Sequence, residues 1–343
     1  MFQHLLPVEI LQSIIDDLTI IEASNLSITN TENKQIIKEL FKGNMTRIRC
    51  SLKDWNITFP NAIYANIRDR LNINDSDFEY LSKVKKLNMS LCKQKSITDD
   101  SFRFLTQIDD LNLQGACGHW TGGHHFTDRI FYYLKDLKSF YIDNNHKITN
   151  HISSLRCIVD LTIHNCSNIS DDGISNLITL KRLNIYNLHS LTDNAFINLT
   201  NLEDLNMTFG NISDIGISYL TNIKKLHFLS CKNIKCKNYD RLLKLNEISM
   251  YGNALFDDDI KSLSNIKNIS LYGCSITGYG LKYLNNAKII SIYESPIIDN
   301  ELDNLYKLNN LIQINIFRCR GISLKKKNEL ISVFGNKLNT DKY

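Results

Sequence analysis

Proline is scarce in this sequence, and no segment is enriched in small flexible residues. Three prolines occur among 343 residues, at positions 7, 60 and 296, and no Pro-rich or Gly/Ser-rich stretch is present. Long flexible linkers usually have such compositions, so their absence argues against one. A chain of this length exceeds one ordinary globular core, which leaves two domains or a repeat array whose pieces pack together.

The sequence also lacks a strong charge of either sign. Its 40 basic and 36 acidic residues are scattered along the chain and give a formal net charge of +4. This field is too weak to indicate nucleic acid or an anionic membrane as a partner. Glu9, Asp16 and Asp17 interrupt the apolar N-terminal stretch before a signal-peptide core or membrane span could form. We therefore expect an intracellular protein, cytoplasmic or nuclear.

Signatures of catalysis are missing too. No Gly-x-x-x-x-Gly-Lys-(Ser/Thr), His-Glu-x-x-His or Gly-x-Ser-x-Gly motif occurs. The acidic runs 171–172 and 257–259 lie where helices are expected to start, which favours helix capping over acid-base chemistry. His164 and His227 have no identifiable nucleophile beside them. We expect a non-enzymatic protein and assign no catalytic residue, cofactor or metal ligand.

What the sequence does contain is a repeat. The pattern apolar-x-x-apolar-x-apolar recurs in eleven units, and its second apolar residue is called the anchor below. Successive anchors are 21 to 24 residues apart, with one gap of 29. The anchors are Leu87, Leu111, Phe140, Leu161, Leu183, Leu205, Leu226, Ile248, Ile269, Ile290 and Ile314. Self-similarity at this period is typical of solenoid proteins.

A second position recurs five residues after the anchor. Residues able to satisfy the inward backbone groups of a strand-to-loop corner belong there, so we interpret this position as structural. Its cysteines would lie one repeat apart as buried, reduced residues. Leu188, Gly210 and Ser295 depart from the pattern, and the second unit is out of register. The residues that fit the pattern at this position are Cys92, Asn145, Cys166, Cys231, Asn253, Cys274 and Cys319.

The second half of each unit predicts a short helix. It has the form Ile-(Ser/Thr)-Asp-x-x-apolar-x-x-Leu at 97–105, 169–177 and 212–220, and begins with Leu at 191–199. Ser/Thr-Asp is a helix N-cap signal, and apolar residues three apart form one stripe against the strand layer. Each unit is therefore strand, turn and helix, and it is stable only when stacked on its neighbours.

These features resemble the cysteine-containing class of leucine-rich repeats over residues 71–322. The resemblance implies an α/β solenoid with parallel strands on a concave face and helices on a convex face. We expect about eleven repeats in residues 82–322, preceded by a linker and a degenerate initial repeat or cap in residues 43–81. That initial repeat has the helical half of a unit without a clear strand before it.

The last segment, residues 323–343, is expected to cap the array. Its apolar residues predict a capping helix that covers the open end. Lys325, Lys326 and Lys327 would then form the solvated face of this helix. The apolar residues are Leu324, Leu330, Ile331, Val333 and Phe334.

The N-terminal segment, residues 1–42, predicts a small unit of three helices. It opens with a proline in the first turn of a helix and an apolar stripe at Ile10, Ile14 and Leu18. This start resembles an F-box, whose opening pattern is Leu-Pro-x-Glu-(Leu/Ile)-Leu-x-x-Ile with a later Leu. The resemblance implies a small all-α unit that docks a Skp-family adaptor of a cullin-RING ubiquitin ligase. The residues that match, and that we expect to bind the adaptor, are Leu6, Pro7, Glu9, Ile10, Leu11, Ile14 and Leu18.

The second half of the segment departs from the F-box pattern. Glu32, Asn33 and Gln35 stand where basic and tryptophan residues are often found. An alternative interpretation is that the segment is the polar-outside cap that a solenoid requires. A cap needs no Leu-Pro-x-Glu start, and some 30 residues separate the segment from the first recognisable half repeat.

The third residue after each anchor is expected to point into the concave face, because side chains alternate along a strand. From Tyr251 onward, four successive units place an aromatic ring there. Such a stripe suits a peptide or a protein edge, although the rings could instead stack and stabilise the array. The expected target-binding residues are Tyr186, Tyr251, Tyr272, Tyr293 and Phe317.

An insertion in the second unit, residues 115–126, is rich in cysteine and histidine. Cys117, His119, His124 and His125 suggest zinc by residue type, but their spacing matches no known ligand set. A partner-contact loop and a tolerated surface insertion are the other readings, and the role of the insertion stays open.

The sequence as a whole thus favours a substrate-recognition subunit of an SCF-type ubiquitin ligase. Residues 1–42 would hold the adaptor and, through it, the cullin, and the concave face would present an unknown target protein. The alternative is a stand-alone repeat scaffold or inhibitor. A metal-dependent protein is a third and weaker hypothesis.

Overall fold

The computed structural model describes residues 8–29, 31–43, 47–92, 95–115 and 126–341, with the backbone alone for residues 8–10 and 16. The chain divides into two compact units, Met1–Asn168 and Ile169–Tyr343. Both units consist of parallel strands joined by short helical segments, which confirms the predicted solenoid class. No helix among the described residues has the length and apolar character needed to span a membrane.

The first unit begins with three short helices, α1 (Val8–Asp16), α2 (Ile20–Ser27) and α3 (Thr31–Leu40). Helix α2 starts at a capping box, in which the Glu22 backbone N donates to Thr19 Oγ1 (3.2 Å) and the Thr19 backbone N donates to Glu22 Oε2 (2.8 Å). Gln12 Nε2 donates to the backbone carbonyl of Leu40 (2.8 Å) and so ties α1 to the end of α3.

Among the described residues of the first unit, five parallel strands follow in sequence order. Their anchors are aligned, with Leu87 opposite Leu111 and Phe140 opposite Leu161. The strands are β1 (Tyr64–Asn66), β2 (Lys86–Asn88), β3 (Asp110–Asn112), β4 (Ser139–Asp143) and β5 (Asp160–His164). The helical segments are α4 (Leu52–Thr58), α5 (Ile130–Tyr133) and the 3₁₀ helices Asp75–Leu81, Asp99–Phe104 and Asn150–Ser154.

The second unit contains eight parallel strands in sequence order. They are β6 (Arg182–Tyr186), β7 (Asp204–Thr208), β8 (Lys225–Leu229), β9 (Glu247–Tyr251), β10 (Asn268–Tyr272), β11 (Ile289–Tyr293), β12 (Gln313–Phe317) and β13 (Leu338–Thr340). Its helical segments are α6 (Asp171–Ile174), α7 (Asp214–Ser218), α8 (Leu324–Phe334) and the 3₁₀ helices Asp193–Phe196, Tyr239–Arg241, Asp257–Leu263, Tyr279–Tyr283, Asp299–Lys307 and Gly335–Lys337.

The core of each unit lies between the strands and the helical segments. Every predicted anchor is buried, and the apolar residue two positions later is buried with it, as at Leu226 and Phe228. Full burial of such a side chain contributes about 1.5–3 kcal/mol before ordering costs. Three of the four predicted caps are present, since Thr98, Thr192 and Ser213 each accept from the backbone N two residues later, whereas the Ser170 side chain makes no such cap bond.

Each predicted strand is followed by a residue in the left-handed backbone region, four positions after its anchor. The values of φ at this position lie between 49° and 64°. This conformation turns the chain inward, so that the next residue, the recurrent cysteine or asparagine, is buried. Asn145 shows the consequence: its Nδ2 donates to Phe126 O (3.0 Å), and its Oδ1 accepts from the backbone N of Lys147 (2.8 Å). The predicted structural role of this position is confirmed.

Two details of the ends differ from expectation. Strand β1 pairs with β2 in parallel, so the initial repeat does have a strand. At the other end, Leu330 is buried in α8, whereas Leu324, Ile331 and Val333 are exposed. The additional strand β13 then pairs with β12, which the apolar pattern did not predict.

Lys326 in α8 also differs from expectation, because it was expected on the solvated face of this helix. It is 8% exposed, and its ammonium donates to Asp303 Oδ1 (2.6 Å) and Glu329 Oε2 (3.0 Å). The expectation was wrong because a lysine can bury its apolar stem where two carboxylates meet its charged end. Asp303 lies on another helical segment, and Glu329 lies one turn along α8. The apolar pattern of α8 therefore does not indicate these contacts.

Candidate functional site

The predicted adaptor-binding residues do not all lie on one surface. Leu6 and Pro7 fall outside the described residues, and the structure gives only the backbone of Glu9 and Ile10, both in α1. Among the other three, Leu11 is buried, Leu18 is half-buried and Ile14 is 48% exposed. Leu11 therefore packs inside the three-helix unit. Of these three residues, Ile14 is the most exposed.

Two more large apolar residues of the three-helix unit are exposed. Ile21 in α2 is 59% exposed, and Ile28, which follows α2, is 80% exposed. Single exposed apolar residues are ordinary, and these three gain interest from the F-box match of the segment that carries them. Neither Ile21 nor Ile28 was among the expected adaptor-binding residues.

The three-helix unit is joined to the first repeat by its C-terminal end. Ile37 and Phe41 are fully buried, and the Phe41 ring packs on the Phe59 ring at 4.7 Å. The carbonyl of Lys42 accepts from the backbone N of Ile63 (2.6 Å) and of Tyr64 (3.0 Å). In the next repeat, the carbonyl of Ile63 accepts from Lys85 and Lys86 in the same way, so residue 42 occupies the place of a repeat residue.

The predicted aromatic residues of the last strands form one continuous stack, which we call the aromatic row: Tyr251, Tyr272, Tyr293 and Phe317. Successive ring centroids are 5.2, 5.2 and 5.4 Å apart, and the planes differ by 22°, 18° and 13°. Tyr251 is 40% exposed and the other three rings are half-buried. The rings therefore stack on one another and still present a surface to solvent. Stacking that stabilises the array and a surface for a partner are thus compatible at these residues.

A charged pair borders the aromatic row. Tyr272 Oη donates to Glu294 Oε1 (3.2 Å), and Arg318 Nη1 lies 2.9 Å from the same oxygen. The hydrogen bond from Arg318, and then that from Tyr272, hold the pKa of Glu294 below its usual range. Both charged residues follow strand ends, so the row carries a guanidinium and a carboxylate along one edge.

Tyr186 is separated from the aromatic row by two strands, but apolar groups continue between them. Its ring meets Phe209 edge to face, with centroids 5.7 Å apart, and Leu229 on β8 is 40% exposed. Phe209 lies at the left-handed position after β7, with φ of 55°. The alternation rule for strands missed it for that reason, although an aromatic residue directly after a strand is a visible signal.

Polar groups lie beside these apolar groups on the same face of the second unit. Asn315 Nδ2 donates to Ser291 Oγ (2.8 Å), and Asn339 Nδ2 donates to Asn315 Oδ1 (2.8 Å). Towards β8 the polar groups become charged, with Lys225 Nζ 3.5 Å from Glu247 Oε2. This mixture of half-exposed rings and hydrogen-bonding groups has the chemistry of a protein-binding surface.

The corresponding face of the first unit is polar. Tyr141 Oη and His164 Nδ1 lie 3.2 Å apart, and Asp143 is buried beside Asn144, which donates to it. Burial raises the pKa of Asp110 on β3. The four-ring stack of the second unit has no counterpart among the described strands of this face.

The Cys/His insertion lies largely outside the described residues, since 116–125 are not among them. Its proposed roles therefore stay open. In the described part of the chain, no group of three His, Cys, Asp or Glu side chains is arranged to hold a metal ion.

No protein-family model and no curated protein matches this chain. Solved structures do resemble it. An internalin from Listeria monocytogenes has a TM-score of 0.65 at 17% identity, over 98% of this chain and 94% of that one. A leucine-rich-repeat protein from Leptospira interrogans has a TM-score of 0.57 at 15% identity, over 98% of both chains. Yeast Rad7, in its complex with Elc1, has a TM-score of 0.54 at 17% identity, over 98% of this chain and 92% of the other. The chain therefore has the leucine-rich-repeat fold.

Proposed function

We propose that this chain is the substrate-recognition subunit of an SCF-type, cullin-RING ubiquitin ligase in the cytoplasm or nucleus. Residues 1–42 dock a Skp-family adaptor, and the strand face of the second unit binds the target protein. The observation that carries the proposal is the exposed apolar set Ile14, Ile21 and Ile28, on a three-helix unit whose start matches the F-box pattern. Each large side chain covered by the adaptor contributes about 1.5–3 kcal/mol before ordering costs.

In this function the chain positions the target protein and performs no chemical step itself. A receptor that holds a target beside a charged ubiquitin carrier raises the local concentration of the target, and it needs no catalytic side chain to do so. A neighbour of similar fold, Rad7, forms a complex with a second protein, Elc1. This supports the idea that the fold can act as one part of an assembly.

The aromatic row is the proposed centre of the target site. Four rings on parallel strands about 4.8 Å apart span roughly 15 Å, which suits an extended peptide or the edge of a folded protein. Tyrosine and arginine are enriched among residues that dominate binding energy, and Arg318 lies beside the rings. The rings also lose little conformational freedom on binding, because they are already stacked.

The adaptor arm is tested by capture of a purified Skp-family adaptor. Ile14→Asp with Ile21→Asp should reduce capture by about tenfold or more, because two apolar contacts are replaced by buried charges. Ile57→Asp is the matched control, since Ile57 in α4 is 57% exposed and lies outside the three-helix unit. Unchanged capture by the double variant would exclude this docking surface.

The target arm is tested by quantitative mass spectrometry of proteins that copurify from cells treated with a proteasome inhibitor. Tyr293→Ala with Phe317→Ala should remove specific partners that the parent retains. Phe256→Ala is the control, since this ring is 56% exposed and lies at the start of a helical segment instead of a strand. An identical partner set for the parent and the double variant would exclude the aromatic row as the target site.

A stand-alone scaffold or inhibitor is the second candidate. The observation that favours it is the burial of Ile37 and Phe41 and the backbone bonds to Lys42, which are what an end cap would show. Capture by the parent chain distinguishes the two candidates. No capture of a purified Skp-family adaptor by the parent would support the scaffold.

A further inference from the structure

One repeat in the second unit departs from the others in its helical half. Where several other repeats have Ser/Thr-Asp, as at 170–171 and 213–214, this one has Lys235-Cys236. Cys236 and Asn238 have φ of 57° and 62°, and among the described residues other than glycine they alone adopt left-handed φ away from a strand end. The short 3₁₀ helix Tyr239–Arg241 follows. The chain is thus held in an unfavourable conformation at a place that the repeat pattern does not require.

A cavity of about 680 Å³ lies beside this segment, on the helical side of the unit. It is bounded by the start of α7, with Asp214 and Ile215, and by residues 237–244. The cavity is separate from the aromatic row, which lies on the strands. Both surfaces can therefore be occupied at once.

The walls of the cavity are positively charged. Lys237, Arg241 and Lys244 line it, together with one carboxylate, that of Asp214. Both oxygens of Asp214 already accept from the backbone N of Lys235, at 3.2 and 3.1 Å. Neither Lys237 nor Arg241 forms an ion pair within the part of the chain that the structure describes. With three cationic side chains and one carboxylate, the cavity lining carries an excess of positive charge that a ligand can meet.

Apolar groups line the same cavity. Leu243 is 87% exposed, the largest value among the big apolar residues of the described chain, and Ile215 is 62% exposed. A simple anion would leave both side chains in water, whereas a ligand with its own apolar group would cover them. Because these residues line a concave site, they suit an inserted side chain better than a flat lipid surface.

A buried tyrosine, Tyr239, also lines the cavity. It is 2% exposed, and its hydroxyl lies close to the Asp214 carboxylate. Burial raises the pKa of Tyr239 well above its ordinary value, with the nearby Cys236 thiol and Asp214 carboxylate adding to the effect. The phenol therefore keeps its proton and adds no negative charge to the cavity.

We propose that this cavity docks an acidic segment of a partner protein that carries an apolar anchor side chain. Carboxylates of the segment pair with Lys237, Arg241 and Lys244, and the anchor covers Leu243 and Ile215. The partner is distinct from the target held on the aromatic row. The site does not depend on the ubiquitin-ligase role, since it requires neither the adaptor nor the strand face.

The test uses the full chain and three probes, with binding followed by fluorescence anisotropy. The first probe is a fluorescein-labelled short peptide of glutamate and aspartate with a central Leu-Phe pair, compared with the same peptide carrying Ser-Ser at the centre. The other two probes are phosphatidylserine vesicles and poly(U) RNA. We expect the Leu-Phe peptide to bind, the Ser-Ser peptide to bind several-fold more weakly, and added salt to weaken both.

Two variants and matched controls locate the site. Lys237→Glu with Arg241→Glu should weaken binding of the Leu-Phe peptide by about tenfold or more. Leu243→Ser should weaken it several-fold without affecting folding, because this side chain is already exposed. Lys307→Glu with Lys325→Glu, and Ile178→Ser, make the same changes at exposed positions outside the cavity and should have no effect.

Equal binding of the peptide to the parent and both cavity variants would overturn the proposal. So would a peptide that does not bind while vesicles or RNA bind the parent and lose binding in the cavity variants. The first outcome would mean that the peptide contacts another surface. The second would mean that the cavity serves a membrane or a nucleic acid instead.

Discussion

The Asp171 carboxylate accepts two hydrogen bonds from Thr192, one from the backbone N at 2.7 Å and one from Oγ1 at 2.5 Å. Thr192 lies one repeat later and caps its own helical segment. Asp193 makes the same pair of bonds to Ser213, at 2.7 and 2.6 Å. The aspartates at the helix starts thus link each repeat to the next, in addition to their place at a helix N-terminus.

This link predicts different costs for two neighbouring aspartates. Asp171→Ala should lower the free energy of unfolding by about 2–3 kcal/mol, because it removes two hydrogen bonds to a charged group and leaves the Thr192 donors unpaired. Asp172→Ala is the matched control, since Asp172 is exposed, and it should change the free energy by less than about 0.5 kcal/mol. Urea unfolding followed by far-UV circular dichroism measures both. Equal losses would show that the inter-repeat bonds contribute nothing of their own.

Asp257 predicts an acid-sensitive contribution to stability. Burial raises its pKa, but hydrogen bonds from Gly280 N, Thr277 N, Thr277 Oγ1 and Gly278 N outweigh that effect and leave the pKa lowered. An unfolded aspartate titrates near about pH 3.9. The stabilisation is therefore complete above about pH 4 and is lost as the pH falls through the lower folded pKa.

The corresponding experiment compares melting temperatures of the parent and Asp257→Asn from about pH 6 down to about pH 2.5. The variant should melt lower at pH 6, and the difference should shrink as the medium becomes acidic. Asp258→Asn, at an exposed neighbouring position, should track the parent throughout. A parent-variant difference that is independent of pH would rule out the carboxylate as its source.

The stacked rings predict a graded loss of stability along the aromatic row. Tyr272 stacks on two rings, those of Tyr251 and Tyr293, whereas Phe317 stacks on one ring of the described chain. Aromatic pairs contribute about 0.5–1.5 kcal/mol each beyond the area they bury. We expect Tyr272→Leu to cost roughly twice as much as Phe317→Leu in urea unfolding. Similar costs would mean that the rings stabilise the array through buried area alone.

The recurrent cysteines predict a pattern of chemical modification. Cys166 and Cys274 are buried, and burial raises the pKa of their thiols to about 12 and about 11. Thiolate is the reactive form, so both should resist iodoacetamide in the native protein near pH 8. Cys157 is exposed and should be modified first. Peptide mass spectrometry after a timed reaction measures each site, and urea should abolish the difference; early modification of Cys166 would contradict its buried place.

The aromatic row and the three-helix unit show how far local patterns reach towards function. The spacing of Tyr251 to Phe317 was enough to predict one shared face, because in-register parallel strands place equivalent residues side by side. The F-box resemblance assigned Leu11 and Ile14 alike to adaptor binding, whereas the structure buries Leu11 and exposes Ile14. The sequence of a helix shows which of its side chains are apolar. Packing against the neighbouring helix determines which of them remain accessible.

The repeat follows from local pattern: its period, its anchors, the buried cysteine or asparagine, and the short helix after them. These could be predicted because each unit must bury an apolar side chain at the same place as the unit before it. The pairing of polar groups, such as Asp171 with Thr192 or Lys326 with Asp303, depends on the folded chain. Such partners lie a whole repeat apart, and many side chains of similar polarity compete for each position. The left-handed turn that exposes Phe209 also depends on the folded chain. The strand and the helical segment must be joined within the height of one repeat, whichever residue stands at the turn.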